Sequence, residues 1–480
     1  MKKNIQVESI KKLKGAIDKV PQVNKEIDEL FSELLKSVSA PSPNFVAGMQ
    51  EDITLSNSDL VVITVEHILS VAQANQWPLV RHQNAFYIFN GTYWKKVNDD
   101  DLKKFVGMAA KQIGIPRLKS NLFSFKESLI KQFYSESYLS PPKADEAVTK
   151  INLRNGTIHI SDSEQIIKPF NPDDFMLYQL PFAYDPKATC PKYQAYLDRV
   201  LPDKEKQVVL AEYLGYCLTK NTTLKLEKSA ILYGTGANGK SVFFEIIMKL
   251  LGSDNVSNYS LQSLTDATGY NRAMLPGKLL NFASEISDKL NPTMFKMLIS
   301  GEPIECRMIY GKPFLLENYC RFMFNTNVLP TNTEQTEGFW RRFLIIHFSE
   351  TIPEEQRDPM LAGYIIEHEL AGVFNWVLDG LKRLLKQKKF SHCRAVDEVL
   401  KEFKKNSDSV SLFLEDEQYV KSNGPIIALK QLYESYRLYC HSSGYNFCSL
   451  KSFAERLRTN NGFRIERRGP GRFVFITKVV

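Results

Sequence analysis

Cysteine is scarce in this chain, and its arrangement does not suggest disulfides. Only seven of the 480 residues are cysteines, and none belongs to a Cys-x-x-Cys pair. This usage is typical of free thiols in a reducing compartment, and it excludes a small secreted scaffold held together by disulfides. We therefore expect a protein that is made and used in the cytoplasm.

Long apolar runs and low-complexity tracts are also missing. No stretch approaches the roughly 20 apolar residues that a membrane-spanning helix needs, and the charged N-terminus lacks the apolar core of a secretory signal. Hydrophobic residues make up 43% of the chain and charged residues 24%, which are the proportions of a folded globular protein. A chain of 480 residues is too long for one core, so we expect several domains and no membrane partner.

Positive charge is concentrated near the C-terminus, although the net charge of the whole chain is only +8. Between positions 451 and 478 eight lysines and arginines are accompanied by two glutamates. The end of this run predicts two strands joined by the turn Gly469-Pro470-Gly471. Helices followed by a basic hairpin are the outline of a winged-helix DNA-binding domain, although a solvated basic tail is the simpler alternative. The expected contacts to DNA phosphates are Arg464, Arg467, Arg468 and Arg472.

Composition and periodicity divide the chain into four parts. Residues 1–60 contain a helix with an apolar stripe from Ile27 to Val38, which either serves oligomerisation or docking or packs on the next domain. Residues 61–205 mix strands and helices as an N-terminal α+β accessory domain. Residues 206–400 alternate strands with helices, which predicts a parallel α/β domain, and residues 401–480 form the winged-helix-like end.

A run of three aspartates follows a predicted hairpin, Ala85–Val97, in the accessory part. Three carboxylates could mark the metal site of a polymerase or primase. A helix capped by Asn98 explains them better, because acidic side chains in a first turn complement the positive end of the helix dipole. We place no catalysis there.

The strongest motif lies at residues 229–251. An apolar strand, Ser229–Tyr233, is followed by a glycine loop and then by an apolar-periodic helix, which is the context that a P-loop requires. Glycines let backbone N–H groups surround phosphates at a helix N-terminus, Lys240 reaches the β- and γ-phosphates, and Ser241 is a ligand of Mg²⁺. The expected nucleotide-binding residues are Gly234, Thr235, Gly236, Ala237, Asn238, Gly239, Lys240, Ser241 and Val242.

Three further apolar segments carry polar residues at their ends. Glu285 follows a strand about 45 residues after the loop, where a carboxylate would polarise the attacking water and help to hold Mg²⁺. Asn327 follows another strand and would face the γ-phosphate or the water. Arg341 and Arg342 precede a fourth strand, and either one could be an arginine finger that acts on a neighbouring copy.

The order of these segments resembles superfamily 3 helicases, and most closely the poxvirus-type and satellite-phage-type primase–helicase family. The likeness rests on "GTGANGKS", "NFASE", "KMLISGEPIECRMIYGKPF", "NTNVLP" and "EGFWRRFLIIHF", and it extends over most of the chain from about residue 70. It implies an AAA+-like core and a hairpin whose basic residues enter the channel of a ring. The candidates on that stretch are Lys296, Arg307, Tyr310 and Lys312.

From this resemblance we expect an ATP- and Mg²⁺-dependent DNA helicase that forms a hexameric ring in phage or mobile-element replication. It would act on single-stranded and forked DNA and move 3′ to 5′. Many family members begin with a large primase domain, whereas about seventy residues precede the shared region here, so a separate primase or polymerase would be a partner. The alternative is a DNA-binding initiator or loader that uses ATP as an assembly switch without unwinding.

Overall fold

The computed structural model describes residues 26–38, 55–75, 78–82, 85–137, 148–161, 164–284, 286, 290–329 and 336–479. Its first elements, in chain order, are helices α1 (Ile27–Ser37) and α2 (Asn57–Ala74), strands β1 (Leu79–His82), β2 (Ala85–Phe89) and β3 (Trp94–Val97), and helices α3 (Asp99–Gln112), α4 (Arg117–Asn121) and α5 (Phe123–Glu136).

These N-terminal helices have a hydrophobic core of their own. It contains buried residues of α1, α2, α3 and α5 together with parts of β1 and β2. The ring of Phe31 on α1 stacks on Phe105 of α3 with 4.2 Å between centroids. The first helix therefore packs on the domain that follows it, which was one of the two predicted alternatives.

The predicted hairpin and helix cap are confirmed. Strands β2 and β3 pair antiparallel from Phe86↔Val97 to Phe89↔Trp94. The side chain of Asn98 accepts a hydrogen bond from the backbone N–H of Asp101, 2.8 Å away, and caps α3. The three aspartates thus occupy the first turn of a helix, where their charge opposes the positive dipole end.

The next elements join the central core rather than the N-terminal one. Strands β4 (Thr149–Leu153), β5 (Gly156–Ile160) and β6 (Gln165–Lys168) form an antiparallel sheet, and helices α6 (Pro191–Val200) and α7 (Lys204–Cys217) follow. Buried side chains of β4, β5 and α6 share one cluster with the central sheet. The predicted boundary between the accessory domain and the α/β domain, at residues 205 and 206, falls inside α7.

The central part alternates strands with helices as predicted. Its elements are β7 (Ser229–Tyr233), α8 (Lys240–Leu251), β8 (Val256–Ser257), α9 (Leu261–Leu264), β9 (Leu280–Ser284), α10 (Pro292–Ser300), β10 (Ile304–Cys306), β11 (Phe314–Leu316), β12 (Arg321–Thr326), α11 (Glu337–Trp340), β13 (Phe343–His347), α12 (Leu361–His368), α13 (Leu370–Gln387) and α14 (Arg394–Asn406). Short 3₁₀ helices lie at Pro172–Asp174, Ser253–Asn255, Arg272–Met274 and Glu354–Gln356.

Five of these strands form a sheet in the order β13-β7-β12-β9-β8, and all of its pairings are parallel. Alternate side chains point to opposite faces, because the period of a strand is two residues. Leu232 and Met323 join the core on the α8 face, and Ile231 and Phe324 join the core on the other face. Both faces are thus covered, as a parallel sheet requires.

The C-terminal part consists of α15 (Ser409–Asp416), β14 (Tyr419–Ala428), α16 (Leu429–Ser443), α17 (Leu450–Thr459), β15 (Ile465–Arg468) and β16 (Gly471–Lys478). Its three strands form an antiparallel sheet in the order β14-β16-β15, and its helices close a separate core over that sheet. The predicted hairpin with its turn at Gly469 and Pro470 is confirmed. The predicted boundary between the α/β domain and the C-terminal domain, at residues 400 and 401, falls inside α14. Phe403 of this helix packs in the central core.

No helix in the parts of the chain that the structure describes has both the length and the apolar character needed to cross a membrane.

Candidate functional site

The glycine loop connects the end of β7 to the start of α8. Gly236 and Gly239 have φ angles of 113° and 83°, and Ala237 also has a positive φ of 49°. These left-handed conformations turn the chain tightly before the helix begins at Lys240. The first N–H groups of α8 have no partner within the helix, so the loop and the helix start form a natural anion site.

Two of the loop glycines lie where no side chain fits. A Cβ added at Gly234 would lie 2.6 Å from the carbonyl oxygen of Phe348, and one at Gly239 would lie 2.7 Å from Cγ1 of Val200. The hydroxyl of Tyr196 also donates to the carbonyl of Gly239 over 2.8 Å. The loop is therefore packed against α6 and against the segment after β13.

Lys240 is buried beneath this loop. Its Nζ donates to the carbonyl oxygen of Gly234 at 2.6 Å and to Oδ1 of Asn238 at 3.0 Å. The amide of Asn238 in turn donates to the carbonyl of Phe348 at 3.2 Å. Burial lowers the pKa of Lys240 below its ordinary value, because desolvation disfavours the charged form. An anion bound in the loop would therefore stabilise the ammonium.

The remaining predicted loop residues line the surface around this lysine. Thr235, Ala237 and Ser241 are exposed, and Val242 is half-buried against the central core. The Ser241 hydroxyl is therefore accessible to a ligand beside the buried Lys240.

Polar residues lie at the carboxyl ends of the two neighbouring strands. Ser284 ends β9 and is exposed, and its register partner is Asn325 on β12. Asn327 is exposed just beyond β12. The backbone N–H of Gly234 donates to the carbonyl of Thr326 at 3.2 Å, so this edge of the sheet adjoins the loop. Glu285 lies outside the described residues.

Sequence reasoning missed Asn325. It is 9% exposed in the middle of the sheet, and its Oδ1 finds no hydrogen-bond donor within the described ranges. It points to the α8 face, as Met323 does two residues earlier. A buried amide oxygen without a donor is unusual in folded proteins. The one signal in the sequence is an asparagine directly after the apolar run "FMF".

The two adjacent arginines have different surroundings. Arg342 is buried, and its guanidinium donates to Oγ of Ser300 and to the carbonyl of Gly338. Arg341 keeps 62% of its side chain exposed and donates to Oε2 of Glu227 at 2.9 Å. Arg342 is thus committed to internal contacts, and Arg341 is the one that faces outward.

Arg341 lies at the opposite edge of the sheet from the glycine loop of its own chain. Strands β7 and β13 are parallel, with Phe343 opposite Ser229 at their starts and His347 opposite Tyr233 at their ends. Arg341 precedes β13, whereas the loop follows β7. Five residues of strand span about 16 Å, so this arginine does not adjoin its own glycine loop.

The predicted channel residues fall on two elements. Strands β10 and β11 pair as a hairpin, and its tip holds Arg307, Tyr310 and Lys312 in exposed positions. The side chain of Tyr310 is fully exposed, and its φ is 61°, which is uncommon for a residue with a Cβ. Lys296 differs from the other three, because it is half-buried on α10, before the hairpin.

The four C-terminal arginines are all exposed, but they are not equivalent. Arg464 and Arg468 form ion pairs with Glu466, and both guanidinium groups lie over the ring of Phe475. Arg467 and Arg472 are directly opposite each other in the hairpin register. Like charges in that position destabilise a sheet, and a bound anion would relieve the repulsion.

Comparison with known families matches two separate parts of the chain. Residues 72–202 match a family model described as "D5 N terminal like", and residues 232–342 match one described as a "Family of unknown function". The second range contains the glycine loop, the β10–β11 hairpin and both central arginines. Because that family has no assigned function, the match supplies no activity for these residues.

A viral protein is similar to half of the chain. It is named "Putative helicase" in Acanthamoeba polyphaga mimivirus and is 26% identical over 250 residues. The alignment covers 49% of this chain but only 25% of the viral protein, so the chain spans a quarter of that relative. Together with the D5-type match, this relative fits the resemblance to viral primase–helicases.

Two of the similar solved structures are described as apo forms of the NrS-1 C-terminal region. Each is 14% identical, and each alignment covers 85% of this chain and 98% of the other. The TM-scores are 0.47 and 0.44.

Proposed function

We propose that the chain is the motor of an ATP-dependent DNA helicase that works as a ring of copies, most simply a hexamer. The observation that carries this proposal is the placement of two groups on one parallel sheet. The glycine loop with Lys240 lies at the carboxyl edge, and the exposed Arg341 lies at the opposite edge. In a head-to-tail ring, the arginine of each copy can face the loop of the next.

The residues at the loop fit ATP and Mg²⁺ as cofactors. The loop adjoins free N–H groups of a helix start, and Lys240 donates to two neutral oxygens, so that phosphate would supply the missing negative charge. The Ser241 hydroxyl and the predicted carboxylate of Glu285 would hold Mg²⁺. When bound, this ion neutralises charge that develops on the phosphates.

The polar ends of β9 and β12 would serve the hydrolytic step. We assign the activation of water to Glu285 and the orientation of the water or the γ-phosphate to Asn327. Asn325 supports the same site, because its buried Oδ1 faces the α8 side without a donor among the described residues. A water molecule or a ligand at this edge would satisfy it.

Arg341 is our choice for the arginine finger, and Arg342 is assigned a structural role. A finger must be exposed and must leave its resting partner, which the contacts of Arg341 allow. Arg342 is held by Ser300 and Gly338 and would leave polar groups unpaired if it moved. Because Arg341 lies about 16 Å along the strands from its own loop, we propose that it acts on a neighbouring copy.

Contacts to DNA are proposed for two surfaces. The β10–β11 hairpin offers Arg307, Tyr310 and Lys312 at an exposed tip that would enter the channel. We assign the C-terminal part to a winged helix, with β15 and β16 as the wing, because its elements follow the order helix, strand, helix, helix, strand, strand. The basic wing would lie on phosphates. The substrates would be single-stranded and forked DNA in phage or mobile-element replication, with a separate primase or polymerase as partner.

The shared nucleotide site is tested by mixing two inactive variants, Lys240→Ala and Arg341→Ala. Alone, each is expected to lose ATP hydrolysis by about 10³-fold or more. In an equal mixture, about a quarter of the interfaces join an intact loop to an intact arginine if copies mix at random. Hydrolysis should therefore recover to a comparable fraction of the wild-type rate.

Arg394→Ala is the matched control, because Arg394 is exposed and forms an ion pair with Glu398 on its own helix, α14. It should keep wild-type hydrolysis. If no ratio of Lys240→Ala and Arg341→Ala recovers activity, the site is not shared between copies. Strand displacement on forked DNA separates a helicase from an ATP-switched initiator or loader, which would hydrolyse ATP without displacing a strand.

A further inference from the structure

Glu227 lies two residues before the start of β7, at the same edge of the sheet as Arg341. Its carboxylate accepts a hydrogen bond from Arg341 at 2.9 Å and lies 3.5 Å from Nη2 of Arg342 and 3.7 Å from Nζ of Lys225. One carboxylate therefore forms ion pairs with three cationic side chains. Without it, the adjacent guanidinium groups would repel each other at the place where the finger has to be held.

The backbone of Glu227 is in an unusual conformation. Its φ is 53°, in the left-handed region that side chains with a Cβ rarely adopt. The chain around it is fixed on both sides. The N–H of Leu226 donates to the hydroxyl of Tyr216 at 3.1 Å, and the N–H of Ser229 donates to the carbonyl of Arg342 at 2.8 Å. The carboxylate is thus held at a defined position beside the arginines.

The two arginines differ in what they could do if a phosphate approached. Arg342 has Ser300 and Gly338 as further partners and stays in place. Arg341 is mostly exposed and can turn toward a new anion. When it does so, Glu227 keeps Arg342 beside it and is not left as a lone buried charge. Release of Arg341 therefore carries a smaller penalty than breaking an isolated buried ion pair.

We infer that Glu227 is the positioning residue of the arginine finger: its carboxylate holds Arg341 at the outer edge of one copy, ready to contact the nucleotide of the next. The inference rests on the proposed shared site. It assigns no contact between Glu227 and the nucleotide, because its own loop is at the other edge of the sheet. Loss of the carboxylate should slow hydrolysis and leave nucleotide binding by the same copy unchanged.

The test uses the full chain with Glu227→Gln, which keeps the shape of the side chain and removes its charge. We expect kcat for ATP hydrolysis to fall about 10- to 100-fold, the effect of a misplaced catalytic group. KM for ATP should stay within about two-fold, as expected when only the transition state loses an interaction. The matched control is Glu337→Gln, since Glu337 is exposed and forms an ion pair with Lys404 one turn before Arg341. It should hydrolyse ATP like the wild type.

A mixture of two variants distinguishes a positioning role of Glu227 from a general loss of structure. Glu227→Gln copies keep an intact loop, and Lys240→Ala copies keep an intact Arg341 and Glu227. An equal mixture should therefore hydrolyse ATP faster than the same total amount of Glu227→Gln alone, although half of its chains lack the lysine. A change that merely disturbed the fold would give a mixture slower than Glu227→Gln alone.

The outcomes also separate this inference from the proposed function. If Arg341→Ala and Lys240→Ala complement each other but the Glu227→Gln mixture does not gain rate, the shared site stands and the role of Glu227 is refuted. A wild-type kcat for Glu227→Gln refutes it as well. If neither mixture recovers activity, the shared site itself fails, and the inference about Glu227 fails with it.

Discussion

The proposed nucleotide site depends most on Lys240. Its ammonium is buried under the glycine loop and donates to a carbonyl and an amide oxygen, which lower the cost of burial without neutralising the charge. Burial holds its pKa below the ordinary value. A phosphate group bound in the loop would pair with this cation where water cannot screen it.

We expect Lys240→Ala to abolish ATP hydrolysis while the chain stays folded. The substitution removes the charge that stabilises the transferred phosphoryl group, and it deletes no part of the hydrophobic core. ATP hydrolysis and thermal unfolding measured side by side check this, with Lys249→Ala on the exposed face of the same helix as the control. Hydrolysis at the wild-type rate would refute the P-loop assignment.

The burial of Asn325 could not be predicted from the local sequence pattern. Burial of its side chain depends on the two strands that flank β12 and on α8, which lie far apart in the chain. The same limit applies to the adjacent arginines. Their sequence context is nearly identical, and the contact between Arg342 and Ser300 on α10 decides which of them is buried. The positions of the glycine loop after β7 and of Asn327 after β12 could be predicted because their motifs are local.

We expect Asn325→Leu to keep or raise the unfolding temperature and to lower ATP hydrolysis. The leucine has a similar shape and removes a buried oxygen that has no donor in the described chain, which is neutral or favourable for folding. A polar group that serves the nucleotide would be lost at the same time. Calorimetry and a hydrolysis assay on one preparation test this. A lower melting temperature with unchanged hydrolysis would show that Asn325 is structural.

Among the elements, the β10–β11 hairpin has a tip whose conformation packing does not explain. Its tip exposes Ile309 and Tyr310 to solvent, and the tyrosine also has a left-handed backbone. Exposed apolar side chains on a protruding turn do not stabilise an isolated chain, whereas aromatic and basic groups together suit a nucleic-acid strand. Strand β10 lies within the stretch quoted for this prediction, and β11 begins at the last residue of that stretch, Phe314.

We expect the double substitution Tyr310→Ala and Lys312→Ala to leave basal ATP hydrolysis intact and to remove its stimulation by single-stranded DNA. Both residues lie on the exposed tip and contribute nothing to the central core. Met360→Ala serves as the control for the loss of an exposed apolar group elsewhere. If stimulation persists at the wild-type level, the hairpin does not contact DNA.

The wing hairpin makes a quantitative prediction about salt. Replacing Arg467 and Arg472 with glutamine should weaken DNA binding similarly on all sequences and lower the salt slope by about one unit for each lost phosphate contact. The fold should not weaken, because the two arginines oppose each other across the hairpin. Lys430→Gln on the exposed start of α16 is the control. If the salt dependence of DNA binding is unchanged, these arginines do not contact phosphates, and the basic run is only a solvated surface.

In the molecule as a whole, local sequence patterns predicted the helices and strands but not which of them share a hydrophobic core. The parallel sheet and the C-terminal hairpin follow from periodicity and turn residues. The β4–β6 sheet was assigned to the accessory domain, yet its side chains share a core with the central sheet, including those of Leu153 and Ile158. Helix α14 likewise crosses the predicted boundary between the central and C-terminal domains, and its Phe403 packs in the central core. Such packing depends on contacts between distant parts of the chain.

The C-terminal part is separable in this architecture. Its core contains only residues between Val410 and Ile476, and every assigned nucleotide residue precedes it. A chain that ends at Lys405 should therefore keep basal ATP hydrolysis, and the wing would contribute to binding rather than to the chemical step. This division fits the proposed motor with a separate DNA-binding module.

The proposed function requires that ATP hydrolysis by this chain drives the separation of DNA strands. The most direct measurement is strand displacement on a forked DNA substrate, with wild type and Lys240→Ala compared in the presence of ATP and Mg²⁺. We expect displacement by the wild type only, and none without ATP. Robust ATP hydrolysis stimulated by DNA but without any displaced strand would contradict it and leave an ATP-switched initiator or loader in its place.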